Sequence, residues 1–251
     1  MVRPEAVIFD WDGVVFDSGG AIKRMRAELA DFVGREFYFG GHDAFTSLQK
    51  LGLSRRAVNS YSRKWEAIER GMNIKIFPLA NAVLKELREK RCLTGIVTNR
   101  RKSLHNLRVF ASSGLDFGLL DFFIMRDEFC WKEKIRSALG LKYQKLCSPI
   151  YRTSEHSKPD PRMIEPISGE LRELHDFPTS VWYVGDNLVD AEFARENDFS
   201  FAGVMCGSIT DREVWRARGV SIVVNGIEEL VSALFPPKGR EDGPRASCFV
   251  G

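Results

Sequence analysis

Small polar and acidic residues directly follow three short apolar runs of the chain. They are Asp10 and Asp12, Thr98 and Asn99, and Asp186 and Asp190. Near-continuous apolar runs are typical of strands that are buried on both faces of a parallel sheet. The carboxyl ends of such strands meet at one edge of the sheet, where open α/β folds bind their ligands. The spacing therefore predicts that these side chains gather at one edge.

The residue types at this predicted edge suit a phosphoryl group and a hard metal ion. Gathered carboxylates repel each other unless a cation lies between them, and oxygen-only ligands favour Mg²⁺, which pairs with substrate phosphate. Thr98 and Asn99 offer a hydroxyl and an amide to phosphoryl oxygens. Lys158 adds a cation just before Pro161, and proline suits the first turn of a helix, whose free N–H groups attract anions. The pattern predicts a magnesium ion beside a bound phosphoryl group.

Strands and helices that could position these residues alternate along most of the chain. The predicted strands are Ala6–Phe9, Leu93–Thr98, Phe122–Met125, Val181–Val184, Phe201–Val204 and Ile222–Val224. The predicted helices are Asn81–Lys90, Lys102–Ser112, Pro161–Leu174, Leu188–Asn197, Asp211–Arg218 and Ile227–Leu234. This alternation indicates an α/β fold with a doubly wound, mostly parallel sheet.

Residues 17–78 interrupt the alternation and contain no convincing strand. The helices predicted in this interval are Ala21–Val33, Asp43–Leu51 and Ser54–Arg70, and the predicted stop signals are Gly34, Gly52 and Gly71. Ser54 is the expected N-cap of the last helix. A mostly helical block after the first strand is typical of an inserted domain. With 11 basic and 7 acidic residues, this block is expected to attract anions.

A second irregular segment, residues 126–157, carries 7 basic and 4 acidic residues. A helix is predicted at Trp131–Leu139, and loop at Ser148-Pro149 and Thr153–His156. We interpret the segment as a long basic insert. Connections of this length are usually functional or mobile. Residues 236–251 are rich in proline, glycine and charge, which predicts a disordered tail.

The composition narrows the class of protein further. The 251 residues are 44% hydrophobic and carry a net charge of +3, which excludes an acidic disordered chain and a histone-like polycation. This charge does not by itself suggest a nucleic-acid partner, and no interleaving of aromatic and basic residues supports one. No apolar run reaches the length of a membrane span, and the first residues do not resemble a signal peptide. Five cysteines without a C-x-x-C pair fit a reducing cytoplasm. The sequence lacks four common functional motifs: a dinucleotide-binding fingerprint, a P-loop, a zinc-binding H-E-x-x-H and a G-x-S-x-G nucleophile elbow.

Four stretches resemble, in order, the four motifs of the haloacid-dehalogenase-like hydrolase superfamily. They are Asp10-Trp11-Asp12-Gly13-Val14-Val15, Ile96-Val97-Thr98-Asn99, Lys158-Pro159-Asp160-Pro161 and Gly185-Asp186-Asn187-Leu188-Val189-Asp190. The later stretch from Ala202 to Leu230 is similar to the C-terminal part of sequences in the phosphoglycolate-phosphatase-like branch of this superfamily. The resemblance implies a catalytic core of residues 1–16 and 79–235, a helical cap of residues 17–78, and a Rossmann-like fold for the core.

The resemblance also implies a role for each motif residue. Asp10 is expected to be the nucleophile and Asp12 the general acid and base. The phosphoryl group is expected to bind Gly13, Thr98, Asn99 and Lys158. Mg²⁺ is expected on the Asp10 carboxylate, the Asp12 main-chain carbonyl and Asp186, with Asp190 acting from outside the ligand set. An aspartyl-phosphate splits hydrolysis into two in-line steps.

Three functions are open at this point. The first is a Mg²⁺-dependent phosphatase of small phosphorylated metabolites in the cytoplasm, phosphoglycolate being the model. The second is a phosphosugar mutase or a pyrophosphate or nucleotide hydrolase on the same core. The third is a catalytically inactive binding module. Asp12 argues against a dehalogenase, since that branch usually lacks the second acid. The sequence assigns neither the particular substrate nor the oligomeric state.

Overall fold

A parallel sheet forms the centre of the protein, with seven strands in the part of the chain that the structure describes. The computed structural model describes residues 3–33, 52–126, 150–168, 178–206 and 210–236. The strands are β1 (Ala6–Phe9), β2 (Leu93–Arg101), β3 (Phe122–Arg126), β4 (Ile150–Ser154), β5 (Val181–Gly185), β6 (Ser200–Val204) and β7 (Ile222–Val224). Every neighbouring pair is parallel, in the order β4-β3-β2-β1-β5-β6-β7. The predicted α/β fold with a parallel sheet is therefore confirmed.

The register of the three central strands brings the predicted polar residues to one edge. Phe9, the last residue of β1, is paired with Ile96 of β2 and with Val184 of β5. One position further along, the chain reaches Asp10 at the end of the middle strand. The polar residues of all three motifs therefore leave the sheet at the same edge, as parallel pairing requires.

Both faces of the sheet are buried, which explains the near-continuous apolar strands. In β1, Val7 and Phe9 belong to one hydrophobic cluster, while Ala6 and Ile8 belong to the cluster on the opposite face. Successive side chains of a strand point to opposite faces, so a doubly covered strand must be apolar at every position. Trp11, which is bulkier than usual between two aspartates, is fully buried in the first cluster.

Helices connect the strands and cover the sheet. They are α1 (Gly19–Val33), α2 (Arg55–Met72), α3 (Ala80–Glu89), α4 (Leu104–Ser112), α5 (Leu188–Glu196), α6 (Arg212–Ala217) and α7 (Leu230–Leu234). Short 3₁₀ turns occupy Phe117–Leu119, Pro161–Ile164 and Ile227–Glu229. The predicted helix at Pro161–Leu174 thus begins as a 3₁₀ turn, and its positions beyond residue 168 lie outside the described residues.

The strand β4 corrects the prediction for part of residues 126–157. Thr153 and Ser154 were expected in a loop, but Ile150–Ser154 pairs with β3 along its whole length. Among the described residues this strand has a neighbour on one side only, and an edge strand does not need the continuous apolar sequence by which the central strands were recognised. The predicted helix at Trp131–Leu139 and most of the basic insert lie outside the described residues, as does the tail after residue 236.

Two helices of the predicted cap are described, and the third, at Asp43–Leu51, lies outside the described residues. The Ser54 hydroxyl accepts a hydrogen bond from the Ala57 N–H, so the predicted N-cap of α2 is confirmed. The predicted stop at Gly71 is wrong, because the helix continues to Met72 and ends at Asn73 with a left-handed φ of 46°. Asparagine tolerates this conformation better than most residues.

The two ends of the predicted cap lie side by side. Phe16 pairs with Ile76, the Asp17 N–H donates to the Lys75 carbonyl at 2.9 Å, and the Phe77 N–H donates to the Val15 carbonyl at 2.9 Å. The chain thus leaves the core and returns to it at one place, as an inserted unit does. The division into cap and core remains a prediction.

The described residues contain no helix that is both long and apolar enough to cross a bilayer. Within them, Cys92 and Cys206 are free thiols. The predicted cytoplasmic location is not tested by either observation.

Candidate active site

Three buried carboxylates meet at the carboxyl edge of the sheet. Asp10 follows β1, Asp186 follows β5, and Asp190 lies in the first turn of α5. One carboxylate oxygen of each lies within 4.8 Å of the others, and each residue is at most 5% exposed. The structure therefore brings together three of the carboxylates that the sequence analysis assigned to the metal site, two as ligands and Asp190 outside the ligand set.

The ammonium group of Lys158 lies against this triad. Its Nζ donates to Asp10 Oδ1 at 2.7 Å, to Asp190 Oδ1 at 2.6 Å and to the Tyr183 hydroxyl oxygen at 2.9 Å. An ammonium has three N–H donors, so all of them are used. Lys158 is 4% exposed. The predicted cation is thus buried beside the predicted nucleophile.

This cluster contains three carboxyl groups but one ammonium group. Burial and the neighbouring Asp190 raise the pKa of Asp10 to about 7, although Lys158 opposes the shift. Burial, with Asp190 and Asp10, also raises the pKa of Asp186 well above its ordinary value. Burial alone lowers the pKa of Lys158, but Asp10 and Asp190 raise it well above its usual range. Asp10 and Asp186 therefore hold a proton more readily than usual unless a further cation joins Lys158, and an oxygen-only set of this kind suits a divalent cation such as Mg²⁺.

Asp190 is held in place by main-chain groups as well as by Lys158. Its Oδ2 accepts hydrogen bonds from the main-chain N–H groups of Asp186 at 3.2 Å and Asn187 at 3.3 Å. Asn187 caps α5 and completes a capping box with Asp190. A Cβ on Gly185 would lie 2.2 Å from the Asp190 Cβ, so glycine is needed for this approach. Both oxygens of Asp190 therefore have hydrogen-bond donors, and its predicted role at the metal site stays a prediction.

Asn99 and Lys158 are joined by a reciprocal pair of hydrogen bonds. The Lys158 N–H donates to Asn99 Oδ1 at 2.8 Å, and Asn99 Nδ2 donates to the Lys158 carbonyl at 3.2 Å. The Asn99 amide thus fixes the loop that carries Lys158, a role that the sequence did not predict. Thr98, which is 1% exposed, accepts a hydrogen bond on Oγ1 from the Arg100 N–H at 3.1 Å. Gly13 has a φ of 75°, a conformation that favours glycine.

The carboxylate of Asp12 is bound by a residue that the sequence analysis missed. Arg100 donates to Asp12 Oδ1 at 2.7 Å from one guanidinium nitrogen and to Oδ2 at 2.8 Å from Nε. Tyr183 and Glu69 were missed as well. Glu69 and Tyr183 lie within predicted elements, and Arg100 lies between a predicted strand and a predicted helix. None of the three matches a motif, so only the tertiary structure brings them to the site.

The fold and the site together define an enzyme that acts at the carboxyl edge of a parallel α/β sheet. Residues 4–198 match the family model of the haloacid dehalogenase-like hydrolases. The chain belongs to this family, and the resemblance noted in its four motifs is confirmed.

One curated relative and two solved structures illustrate the similarity. N-acetylmuramic acid 6-phosphate phosphatase of Pseudomonas putida is 25% identical over 243 residues, which cover 91% of this chain and 95% of the relative. A hydrolase of Pseudomonas syringae superposes with a TM-score of 0.64 at 17% identity, covering 93% of this chain and 98% of the other. A predicted phosphoglycolate phosphatase of Haemophilus somnus superposes with a TM-score of 0.55 at 13% identity, covering 94% and 100%. The family and the curated phosphatase bear out the predicted enzyme class, and the structures share the fold.

Proposed function

We propose that the protein is a Mg²⁺-dependent phosphatase that hydrolyses small phosphorylated metabolites through an aspartyl-phosphate on Asp10. The observation that carries this proposal is the buried group of Asp10, Asp186, Asp190 and Lys158 at the carboxyl edge of the sheet. Buried carboxylates in this number are costly to maintain without a cation. Family membership and the phosphatase activity of the Pseudomonas putida relative support the same reaction.

Asp10 and Asp186 are the carboxylates that would hold Mg²⁺, together with the main-chain carbonyl of Asp12. The bound ion would neutralise the carboxylates and withdraw charge from the phosphoryl oxygens. Lys158 supplies a second positive charge, since it is fixed beside Asp10 by Asp190 and Tyr183. Thr98 and the N–H groups near Gly13 and Asn99 are the proposed donors to the phosphoryl oxygens.

The reaction follows in two displacements. In the first, an Asp10 carboxylate oxygen attacks phosphorus, the bond to the leaving oxygen breaks, and Asp12 gives that oxygen its proton. In the second, Asp12 removes a proton from a water molecule, which attacks phosphorus and frees Asp10 and inorganic phosphate. Residues 17–78 are proposed to cover the site during these steps and to exclude bulk water.

The substrate class is a phosphomonoester of a small metabolite. The Pseudomonas putida relative acts on N-acetylmuramic acid 6-phosphate, which makes this sugar phosphate the first compound to test, with phosphoglycolate as the second. Both carry a carboxylate besides the phosphate, and the basic excess in residues 17–78 would favour such anions. We propose that the reaction takes place in the cytoplasm, as the cysteine content predicted.

The proposal is tested by measuring phosphate release from a panel of substrates with Mg²⁺ and with EDTA. The panel contains both candidates, a nucleotide, pyrophosphate and p-nitrophenyl phosphate. We expect Mg²⁺-dependent hydrolysis of at least one phosphomonoester without added phosphosugar activator, which a mutase would require. Absence of turnover on the whole panel, with protein that is folded by circular dichroism, would contradict the proposal.

A further inference from the structure

Arg100 links the proposed acid and base of the core to a helix of the proposed cap. Besides its two bonds to Asp12, its guanidinium donates to Glu69 Oε1 at 2.5 Å and to Glu69 Oε2 at 3.2 Å. A fifth bond goes to Asn106 Oδ1 at 3.0 Å. A guanidinium has five N–H donors, so every one of them has an acceptor.

The link is buried and therefore well defined. The side chains of Arg100 and Glu69 are 7% and 1% exposed, and that of Asp12 is 25% exposed. The ring of Phe16, at the junction of core and cap, lies 5.3 Å from the guanidinium carbon. His105 Nε2 lies 2.7 Å from Glu69 Oε2. A planar group held on all sides in this way has little freedom to turn.

A local irregularity of the sheet accompanies this arrangement. The register between β2 and β3 shifts between Thr98 and Arg101, so Asn99 and Arg100 lie in a bulge-like irregularity of the strand. Bulges redirect side chains and occur next to active sites. Arg100 thus lies two residues after Thr98 of the second motif and reaches Asp12 of the first.

We propose that Arg100 is a positioning residue, which fixes the carboxylate of Asp12 and is itself fixed by Glu69 of α2. The orientation of the acid and base in the core would then depend on the placement of the cap helix. This inference rests on the proposed role of Asp12. It follows from geometry: both Asp12 oxygens are bound by Arg100, and the adjacent edge of the same guanidinium is bound by Glu69.

Arg100→Lys is the primary test, because an ammonium cannot bind two carboxylates by paired N–H donors. For a metabolite substrate, whose leaving oxygen needs a proton, both steps are slowed, so we expect kcat to fall by roughly 10- to 100-fold while KM changes less than about threefold. p-Nitrophenol is a good leaving group that needs little proton transfer, so formation of the phosphoenzyme should be nearly normal and its hydrolysis slow. Rapid mixing with p-nitrophenyl phosphate should therefore show a burst close to one product per active site.

Glu69→Gln is the second variant, and it also decides the question if Arg100→Lys does not fold. It keeps the shape of the side chain and removes its charge, so Arg100 is held less firmly. We expect the same pattern with a smaller loss of kcat, by about three- to tenfold. In the Asp12→Asn background neither variant should reduce the residual activity further, because both act through Asp12.

Arg195→Lys is the matched control, since Arg195 forms an exposed pair with Glu196 on α5. It should leave kcat, KM and the burst unchanged. Wild-type kinetics in both Arg100→Lys and Glu69→Gln would overturn the inference. The inference would also be overturned if the loss of kcat in Arg100→Lys or Glu69→Gln multiplied with the loss caused by Asp12→Asn in the double variant. A burst amplitude that falls in proportion to kcat would overturn it as well. Failure of the proposed function can be distinguished from failure of this inference. If the proposed function fails, the wild-type protein is inactive or the Asp12→Asn variant is fully active.

Discussion

Lys158 Nζ lies 2.7 Å from Asp10 Oδ1, although 148 positions separate the two residues in the sequence. This pair places a permanent positive charge beside the proposed nucleophile. The hydroxyl of Tyr183 and the carboxylate of Asp190 hold the ammonium from its other sides. The proposed phosphate-binding lysine is therefore fixed in place by three hydrogen bonds of the protein itself.

Tyr183→Phe tests how firmly Lys158 must be held. The tyrosine hydroxyl accepts from Lys158 and donates to the Val97 carbonyl at 3.0 Å, and the residue is fully buried. Removing it leaves two buried polar groups without this partner. We expect the free energy of unfolding to fall by about 1–3 kcal/mol and kcat to fall with it, measured by urea denaturation and steady-state kinetics. Unchanged stability and kcat would show that the hydroxyl does not support Lys158.

Asp186→Asn tests the metal site. The change keeps the size of the side chain and removes a carboxylate charge, so we expect the Mg²⁺ concentration for half-maximal activity to rise by about tenfold or more. Thermal unfolding should show the same effect, since added Mg²⁺ should stabilise the wild type more than the variant.

Asp198→Asn is the matched control for this change, because Asp198 is exposed and its left-handed φ of 58° suits asparagine equally well. It should respond to Mg²⁺ as the wild type does. Equal Mg²⁺ dependence in all three proteins would remove Asp186 from the metal site.

Glu69 predicts a pH dependence of stability. Burial alone would raise its pKa, but Arg100 and His105 lower it from 4.5 to about 2. A carboxyl group with a depressed pKa stabilises the folded state above its unfolded pKa, and this contribution is lost as pH falls toward 2. Its full size is on the order of 3 kcal/mol. Urea denaturation should therefore show Glu69→Gln clearly less stable than wild type at pH 6, with a difference that shrinks toward pH 3. A constant difference would contradict the assigned ionisation.

The sequence allowed prediction of features that depend on local pattern. The central strands could be recognised because a doubly covered strand is apolar at each position, and Asp10, Thr98 and Asp186 could be placed because they follow such strands. Pairing in a parallel sheet then brought them to one edge.

Features set by distant contacts could not be predicted in this way. The strand Ile150–Ser154 was missed because an edge strand carries no continuous apolar signal. Arg100 and Glu69 were missed because a charged side chain normally has a solvated or structural role, and Tyr183 was missed because it is one of the hydrophobic residues of a buried strand. Their partners are decided by tertiary packing, which spacing along the chain does not reveal.

The central claim is that phosphorus is transferred to Asp10, and trapping the phosphoenzyme tests it most directly. Asp12→Asn should slow hydrolysis of the intermediate by roughly 10²- to 10⁴-fold, so acid quenching of this variant after mixing with Mg²⁺ and p-nitrophenyl phosphate should preserve it. We predict that mass spectrometry of the digested protein finds one phosphoryl group on the peptide that contains Asp10, and none in the Asp10→Asn/Asp12→Asn double variant. A phosphoryl group on another residue, or hydrolysis by folded Asp10→Asn at the wild-type rate, would contradict the proposed mechanism.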